Sequence, residues 1–290
     1  MSDATSPETG AVVSLWRYPV KSMMGEEVST AQVGEHGLSG DRVYALLDSS
    51  NGKVASAKNP GKWPNLFAFR ATLVEGSGSG ARAYPLRITL PDGRVLTGEQ
   101  ADLDQVLSKA LNREVTVAAT EHGQMAAAQS SVPAAWIGKA EAYWPDIEGL
   151  EHRKAVTDFA MPAGTFFDCA TVHLVTTATL HRLRHFYPEG RFEIQRFRPN
   201  IVVEAAGGED AFVENSWIGR TLAIGNKVQL AITAPCGRCV MTTLAQGDLP
   251  KDSDILRTAV QHNQAHVGVY AAVLRGGTIS RGDRVRLSAA

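Results

Sequence analysis

The chain reads as a β-rich α+β fold, barrel-like in architecture. Three observations predict this. Short runs of β-branched and aromatic residues recur between Gly, Pro and Asp; two pairs of runs close across tight turns; and only about three stretches carry helical periodicity. AVVSLWRYPV and GDRVYALLD are the first strand candidates, each bounded by turn residues. LRITLPDGRVLTG forms a hairpin around PDG, with apolar alternation on both arms. ADLDQVLSKALN follows as a helix, because Leu103, Val106, Leu107, Ala110 and Leu111 recur at helical spacing. VTVAAT returns to strand. Residues 121–165 mix Ala, Ser, Pro and scattered charge without a clear period. They read as a linker or irregular excursion between a first unit at 11–120 and a second at 166–288. In the second unit a strand, His173–Thr176, runs into a helix with Thr177 as N-cap and Leu180 and Leu183 on one face. NIVVEA and TLAIGNKVQLAITA resume the strands, the latter folded at GN. DSDILRTAV is a short helix capped by Asp or Ser, and VGVYAAVL and DRVRLSA are the last strands.

With 290 residues and 44% apolar content, the chain can bury a substantial core as one large domain or two moderate ones. Its 29 basic residues balance 30 acidic ones, so no overall field draws it to nucleic acid or an anionic membrane. Any anion site must be a local cluster of Lys and Arg. The opening MSDATSPETG has neither the charged nor the apolar region of a signal peptide. No apolar run approaches the roughly 18 residues of a membrane span. Three cysteines are too few, and odd in number, for a secreted disulfide framework. The expectation is a cytoplasmic protein with reduced thiols.

Two of those cysteines stand together in APCGRCVMTT. Pro235 is expected to end the preceding strand, since it cannot donate to a central ladder, leaving Cys236 and Cys239 on a strand-to-loop corner. Packing is one reading of Cys236, because free Cys is among the most buried residue types. For Cys239 the adjacent Arg238 favours the thiolate. Zinc is a further reading: C-x2-C is followed after 22 residues by H-x3-H, although that gap exceeds the span of a compact finger. A thioredoxin-like dithiol is disfavoured, since VMTT does not read as a helix. Spacing alone leaves these alternatives open.

Four further stretches bear on the choice. WRYPVKSMMGEEV (16–28), GLSGDRVYALLD (37–48), RFRPNIVVE (196–204) and PCGRCVMTT (235–243) occur in the order and form of MOSC-domain proteins, and the sequence resembles that family over nearly its whole length. The resemblance implies an N-terminal MOSC β-barrel-like domain followed by a MOSC β-barrel domain with a few helices. It implies the molybdenum cofactor, Mo-molybdopterin, with Cys239 as the molybdenum ligand and catalytic centre. By the same resemblance Lys21, Ser22, Arg42, Arg198, Asn200, Gly237 and Arg238 hold the cofactor. The residue types suit the task. A soft thiolate matches a metal already bound by dithiolene sulfurs, and a molybdopterin phosphate in a near-neutral protein needs local cations, Lys as a point charge and Arg as a fork. Asn200 can both donate and accept towards a pterin edge. The stretch FDCATVHL falls where the family has a strand-to-helix piece touching the cofactor. Thr171, Asp168 or Ala170 would be nearest, and Cys169 is read as a core residue.

The architecture is similar to that of amidoxime-reducing components, which reduce N-hydroxylated compounds. The resemblance therefore implies a molybdenum-dependent oxidoreductase acting on a small N-oxygenated substrate. Three cysteines cannot also ligate a plant-type iron–sulfur cluster, so electrons would come from a separate reductase or electron carrier. Two alternatives belong to other classes: a persulfide sulfur carrier using Cys239, and a cofactor-binding protein for handover. Many relatives continue after the cysteine as T-T-V-D-P-x-T-G, whereas this chain has MTTLAQGDLPKDS, a loop expected to border the substrate opening.

Overall fold

The computed structural model describes residues 8–74, 85–121, 130–206 and 211–288. Seven strands close a barrel in the order Ile201–Ala205, Val172–Thr176, His266–Arg275, Val228–Gly237, Thr221–Ile224, Arg284–Leu287 and Glu8–Arg17, the last pairing back onto the first. Among these barrel strands only the pair Val172–Thr176 and Ile201–Ala205 is parallel. The crossover between them carries the helix Thr177–Phe186 and the single helical turn Ile194–Phe197, as a parallel connection requires. The fold is thus the β-rich α+β class with a barrel that the sequence predicts. Its helices are Leu103–Leu111, Thr177–Phe186 and Asp254–Asn263 plus that one turn.

The two-residue period of the strands sorts side chains to opposite faces. Leu15, Leu174, Ile201 and Val203 join one buried cluster with Leu222, Leu230 and Val285. Trp16, Val175 and Val202 point the other way and pack with Leu180, Leu183 and Phe197. Glu8–Arg17, at the start of the chain, is therefore a stave of a barrel built otherwise from the C-terminal half. In the rest of the N-terminal half Glu26–Val28 pairs with the end of that stave, and Thr30–Gly34 and Gly37–Leu38 form a three-stranded sheet with Gly277–Ser280. Two further three-stranded sheets are Tyr44–Asp48 with Val115–Thr120 and Ser130–Val132, and Arg70–Leu73 with Leu86–Thr89 and Val95–Thr97. Their shared core, around Met23, Trp63, Phe69 and Leu107, takes in Met241, and Cys239 packs on its edge.

Three local features differ from the sequence reading. Residues 139–160 form a regular hairpin, Lys139–Trp144 against Ala155–Ala160, within the stretch read as linker or irregular excursion. Its alternation is carried inward by Ala140 and Ala142, and alanine is a weak strand signal. Pro235 does not end its strand. Val228–Gly237 runs through it, with register shifts on either side, and a bulge tolerates a residue without an N–H. The N-cap of Thr177–Phe186 is Thr176, whose hydroxyl accepts from the Thr179 N–H at 3.2 Å. Among the described residues no helix is long and apolar enough to cross a membrane.

Candidate functional site

A cavity of about 480 Å³ opens where the barrel meets the N-terminal sheets, within the range of small-molecule sites. Lys21, Ser22, Arg42, Arg198, Asn200, Gly237, Arg238 and Cys239 all line it. Residues almost 220 positions apart thus converge on one space.

Backbone geometry explains part of the convergence. Among the described residues, seven non-glycine positions have left-handed φ, and five of them line this cavity: Ser22 (64°), Arg42 (49°), Arg198 (53°), Gln264 (52°) and Ala265 (62°). Such conformations cost free energy outside glycine, and they persist where surrounding structure enforces them, often at functional sites. Arg198 is the left-handed C-cap of the turn Ile194–Phe197, its N–H bonded to Ile194 O at 3.1 Å.

Arg42 and Arg198 share one support. Both guanidinium groups lie over the Tyr18 ring, at 4.8 and 4.2 Å from its centroid. Arg42 is ion-paired with buried Asp41, and Arg198 donates to Met23 O at 2.5 Å. Burial, then repulsion from Arg42, pulls Arg198 down to about 10. Asn200 is 1% exposed, and its amide is engaged at both ends. Its Nδ2 donates to Asp41 at 2.9 Å and Trp16 O at 3.3 Å, and its Oδ1 accepts from the His173 N–H at 3.1 Å. It ties the barrel entrance to the arginine pair rather than offering a free edge.

On the other side, Asp168 bridges two ammonium groups. One oxygen takes Lys21 and the other Lys58 at 3.0 Å, while Lys21 also donates to Phe166 O at 2.9 Å. Lys58 lies over the Phe159 ring at 4.3 Å. Burial opposes the charge on Asp168, yet the two lysines hold its carboxyl far below the usual range. Lys21 is lowered, chiefly by burial. Lys58 is also opposed by burial, but Asp168 and then Cys239 outweigh this and raise it.

All three cysteines of the chain line the same cavity. Cys236 is 1% exposed, and its sulfur accepts from Arg238 Nη1 at 2.8 Å. Burial alone would raise this thiol, but Arg238 and His173 prevail and bring it well below its ordinary value. Arg238 also donates to Phe197 O at 2.9 Å, while its buried Nε has no hydrogen-bond partner. Cys239 is half-buried and starts the 3-10 turn Val240–Thr243, which confirms that no α-helix follows the pair. Cys169 is exposed at the cavity rather than a core residue, so that expectation is corrected. Asp168 and Ala170 line the cavity beside it, and Thr171 does not.

Two more sequence expectations change. Among the described residues no group of three or more His, Cys, Asp or Glu is placed to hold a metal, so the two cysteines and two histidines do not assemble a zinc site. His262 instead stacks on Phe186 at 3.6 Å. The loop after Cys239 reaches the cavity only through Met241; Gln246–Leu249 line a separate small pocket. The far wall of the cavity comes from the hairpin and its connection, through Trp144, Gly149, Leu150 and Glu151. Lys58, Tyr18, Glu151 and Trp144 carried no sequence signal.

The structure thus gathers five cations and three thiols around one cavity. The chain belongs to the MOSC-domain proteins: the MOSC N-terminal beta barrel domain matches residues 9–133 and the MOSC domain matches residues 162–286. It is 25% identical to mitochondrial amidoxime-reducing component 1 of Mus musculus, over 97% of this chain and 83% of that protein. It is 26% identical to the molybdenum cofactor sulfurase of Danio rerio, over 90% of this chain but 32% of that protein. A crystal structure of the YUAD protein from Bacillus subtilis aligns over 96% of this chain and 95% of that chain, at 11% identity and a TM-score of 0.46.

Proposed function

We propose that this protein is a molybdenum cofactor-dependent oxidoreductase that reduces N-hydroxylated compounds, with Cys239 as the protein ligand to molybdenum. The observation that carries the reading is the convergence of Lys21, Arg42, Arg198 and Arg238 with Cys239 on one cavity of ligand size.

The residues present fit the cofactor. Arg238 keeps an unpartnered buried Nε beside the thiols. Arg42 makes only long contacts of 3.4 Å to Asn200 Oδ1 and Arg198 O beyond its pair with Asp41. A side chain at Gly237 would project into open space, so glycine keeps the cavity clear beside the cysteines. Lys21, Arg42, Arg198 and Arg238 would grip the phosphate and pterin, and the Ser22 hydroxyl, which accepts from the Ala57 N–H at 3.1 Å, retains its own proton to donate. Asn200 would hold the arginines in place. When bound, the cofactor supplies the two-electron redox chemistry. The overall reaction converts an N–OH group, two electrons and two protons into N–H and water, the electrons coming from a separate donor protein.

Metal analysis and turnover test it together. The purified protein should hold molybdenum and pterin and reduce N-hydroxylated compounds with an artificial electron donor. Cys239→Ala should fold as wild type but lose turnover by more than about 100-fold. Unchanged molybdenum content and activity in that variant would refute the assignment. The likeness to a cofactor sulfurase favours a second reading, a persulfide carrier using Cys239 or a cofactor-handover protein. Persulfide without metal, or bound pterin without turnover on any N-oxygenated compound, would select it.

A further inference from the structure

The cavity lining runs from buried to exposed. Within it Lys21, Arg198 and Cys236 are buried. Its far wall, on the hairpin connection, presents Trp144, Leu150 and Glu151. Glu151 is exposed and, among the described residues, makes no ion pair or hydrogen bond. The cations nearest to it in sequence, Arg153 and Lys154, are turned to Asp146, at 3.7 and 2.7 Å. Asp168, the other acid lining the cavity, is saturated by its two lysines. One carboxylate therefore stands free beside the opening.

The Trp144 indole, which lines the same wall, is held rigidly. Trp144 Nε1 donates to Thr157 Oγ1 at 2.8 Å across the hairpin, and the ring meets His152 edge-on at 5.3 Å. A fixed indole face beside an unpaired carboxylate is the arrangement that recognises a cation: the ring quadrupole and the charge act together, and neither needs to reorganise. Leu150 adds an apolar surface to the same lining.

We infer that Trp144 and Glu151 are specificity-determining residues, selecting N-hydroxylated substrates that carry a positive charge distant from the N–O bond. The inference rests on the functional reading above. The reacting group enters towards Cys239, and the distant cation stays at the wall between the indole and the carboxylate. Anionic substrates are rejected there by Glu151.

The test compares two isosteric benzamidoximes, one bearing a para trimethylammoniomethyl group and the other a para neopentyl group. The molybdenum-loaded protein should prefer the cationic compound in kcat/KM by about tenfold. Glu151→Gln should bring that ratio close to one. Trp144→Leu should lower it several-fold and raise KM more than it changes kcat. Glu148→Gln, an exposed acid of the same connection that does not line the cavity, should keep the wild-type ratio and so exclude a long-range field. The corresponding unreactive benzamides, neutral at the head group and titrated calorimetrically, should show the same preference in Kd. Absence of turnover with both amidoximes, with the benzamide preference intact, would overturn the reductase reading and leave the wall assignment standing. Equal Kd values for the two benzamides, or a ratio that survives Glu151→Gln, would overturn the wall assignment whatever the turnover.

Discussion

Arg196 is the largest wholly buried side chain of the molecule among the described residues, and it has no ion pair among them. Its guanidinium is instead spent on main-chain carbonyls: Nε on Arg191 O at 2.8 Å, Nη1 on Thr242 O and Leu244 O at 3.2 and 3.1 Å, and Nη2 on Pro250 O at 2.8 Å. Thr242 in turn bonds the Cys239 carbonyl through its N–H at 3.2 Å and its hydroxyl at 3.1 Å. Arg196 therefore holds the loop that fixes the site cysteine. Arg196→Met removes four hydrogen bonds from a charged donor, each contributing about 1.5–3 kcal/mol. Relief of the buried cation's desolvation offsets part of this, leaving a loss of about 3–5 kcal/mol. For a chain of this size that corresponds to a fall in Tm of about 6–15 °C. Arg196→Lys should recover less than half, because one ammonium cannot span carbonyls from separate segments. Urea and thermal unfolding measure both. Labelling of Cys239 by a thiol reagent under native conditions should also accelerate in both variants. Arg196→Met within about 1 kcal/mol of wild type, or Met and Lys variants of equal stability, would refute the reasoning.

Tyr18 carries two cations on one ring, and its buried hydroxyl has no hydrogen-bond partner among the described residues. Tyr18→Leu should weaken pterin retention by about 10- to 100-fold, measured as pterin released on dialysis, whereas Tyr18→Phe should retain it. Glu214 is wholly buried and receives the hydroxyls of Thr176 and Thr179 at 2.6 and 2.7 Å. Burial raises its carboxyl above the ordinary 4.5 despite those bonds. A group raised in the folded state favours folding most below its unfolded value, and that contribution is lost as pH climbs through the folded value. Glu214→Gln should therefore flatten the decline of the urea midpoint above about pH 4.5. An unchanged slope would count against a buried, protonation-linked carboxyl.

Much of the cavity was legible because its cations sit inside short motifs with fixed neighbours. Arg42, Arg198 and Arg238 each stand beside a Gly, Pro or Asp that marks a sharp change of chain direction. The opposite wall was not legible. Lys58 and Glu151 look like ordinary surface charges in sequence, and only the packing of the 139–160 hairpin against the N-terminal half brings Trp144 and Glu151 to the cavity. That hairpin escaped detection because its inward positions are alanines. Cys169 was misplaced for a related reason: cysteine burial is a composition trend, whereas its actual position follows from Asp168, one residue earlier, reaching both lysines. The barrel strands themselves were read correctly except at Pro235, where the bulge that accommodates a missing donor leaves no mark in the sequence.

The stave Glu8–Arg17 lies between Ile201–Ala205 and Arg284–Leu287. A nascent chain thus carries this strand, paired only over Leu15–Arg17 by Glu26–Val28, until its barrel partners some 190 to 270 residues later have emerged. The barrel cannot shut until Arg284–Leu287 has emerged, which makes assembly slow and exposes a sticky ribbon in the meantime. Lys21 and Ser22 follow that ribbon directly, so the binding cavity is completed by the same late event. A ligand reaching the unfinished chain would meet half a pocket, and loading must wait for closure.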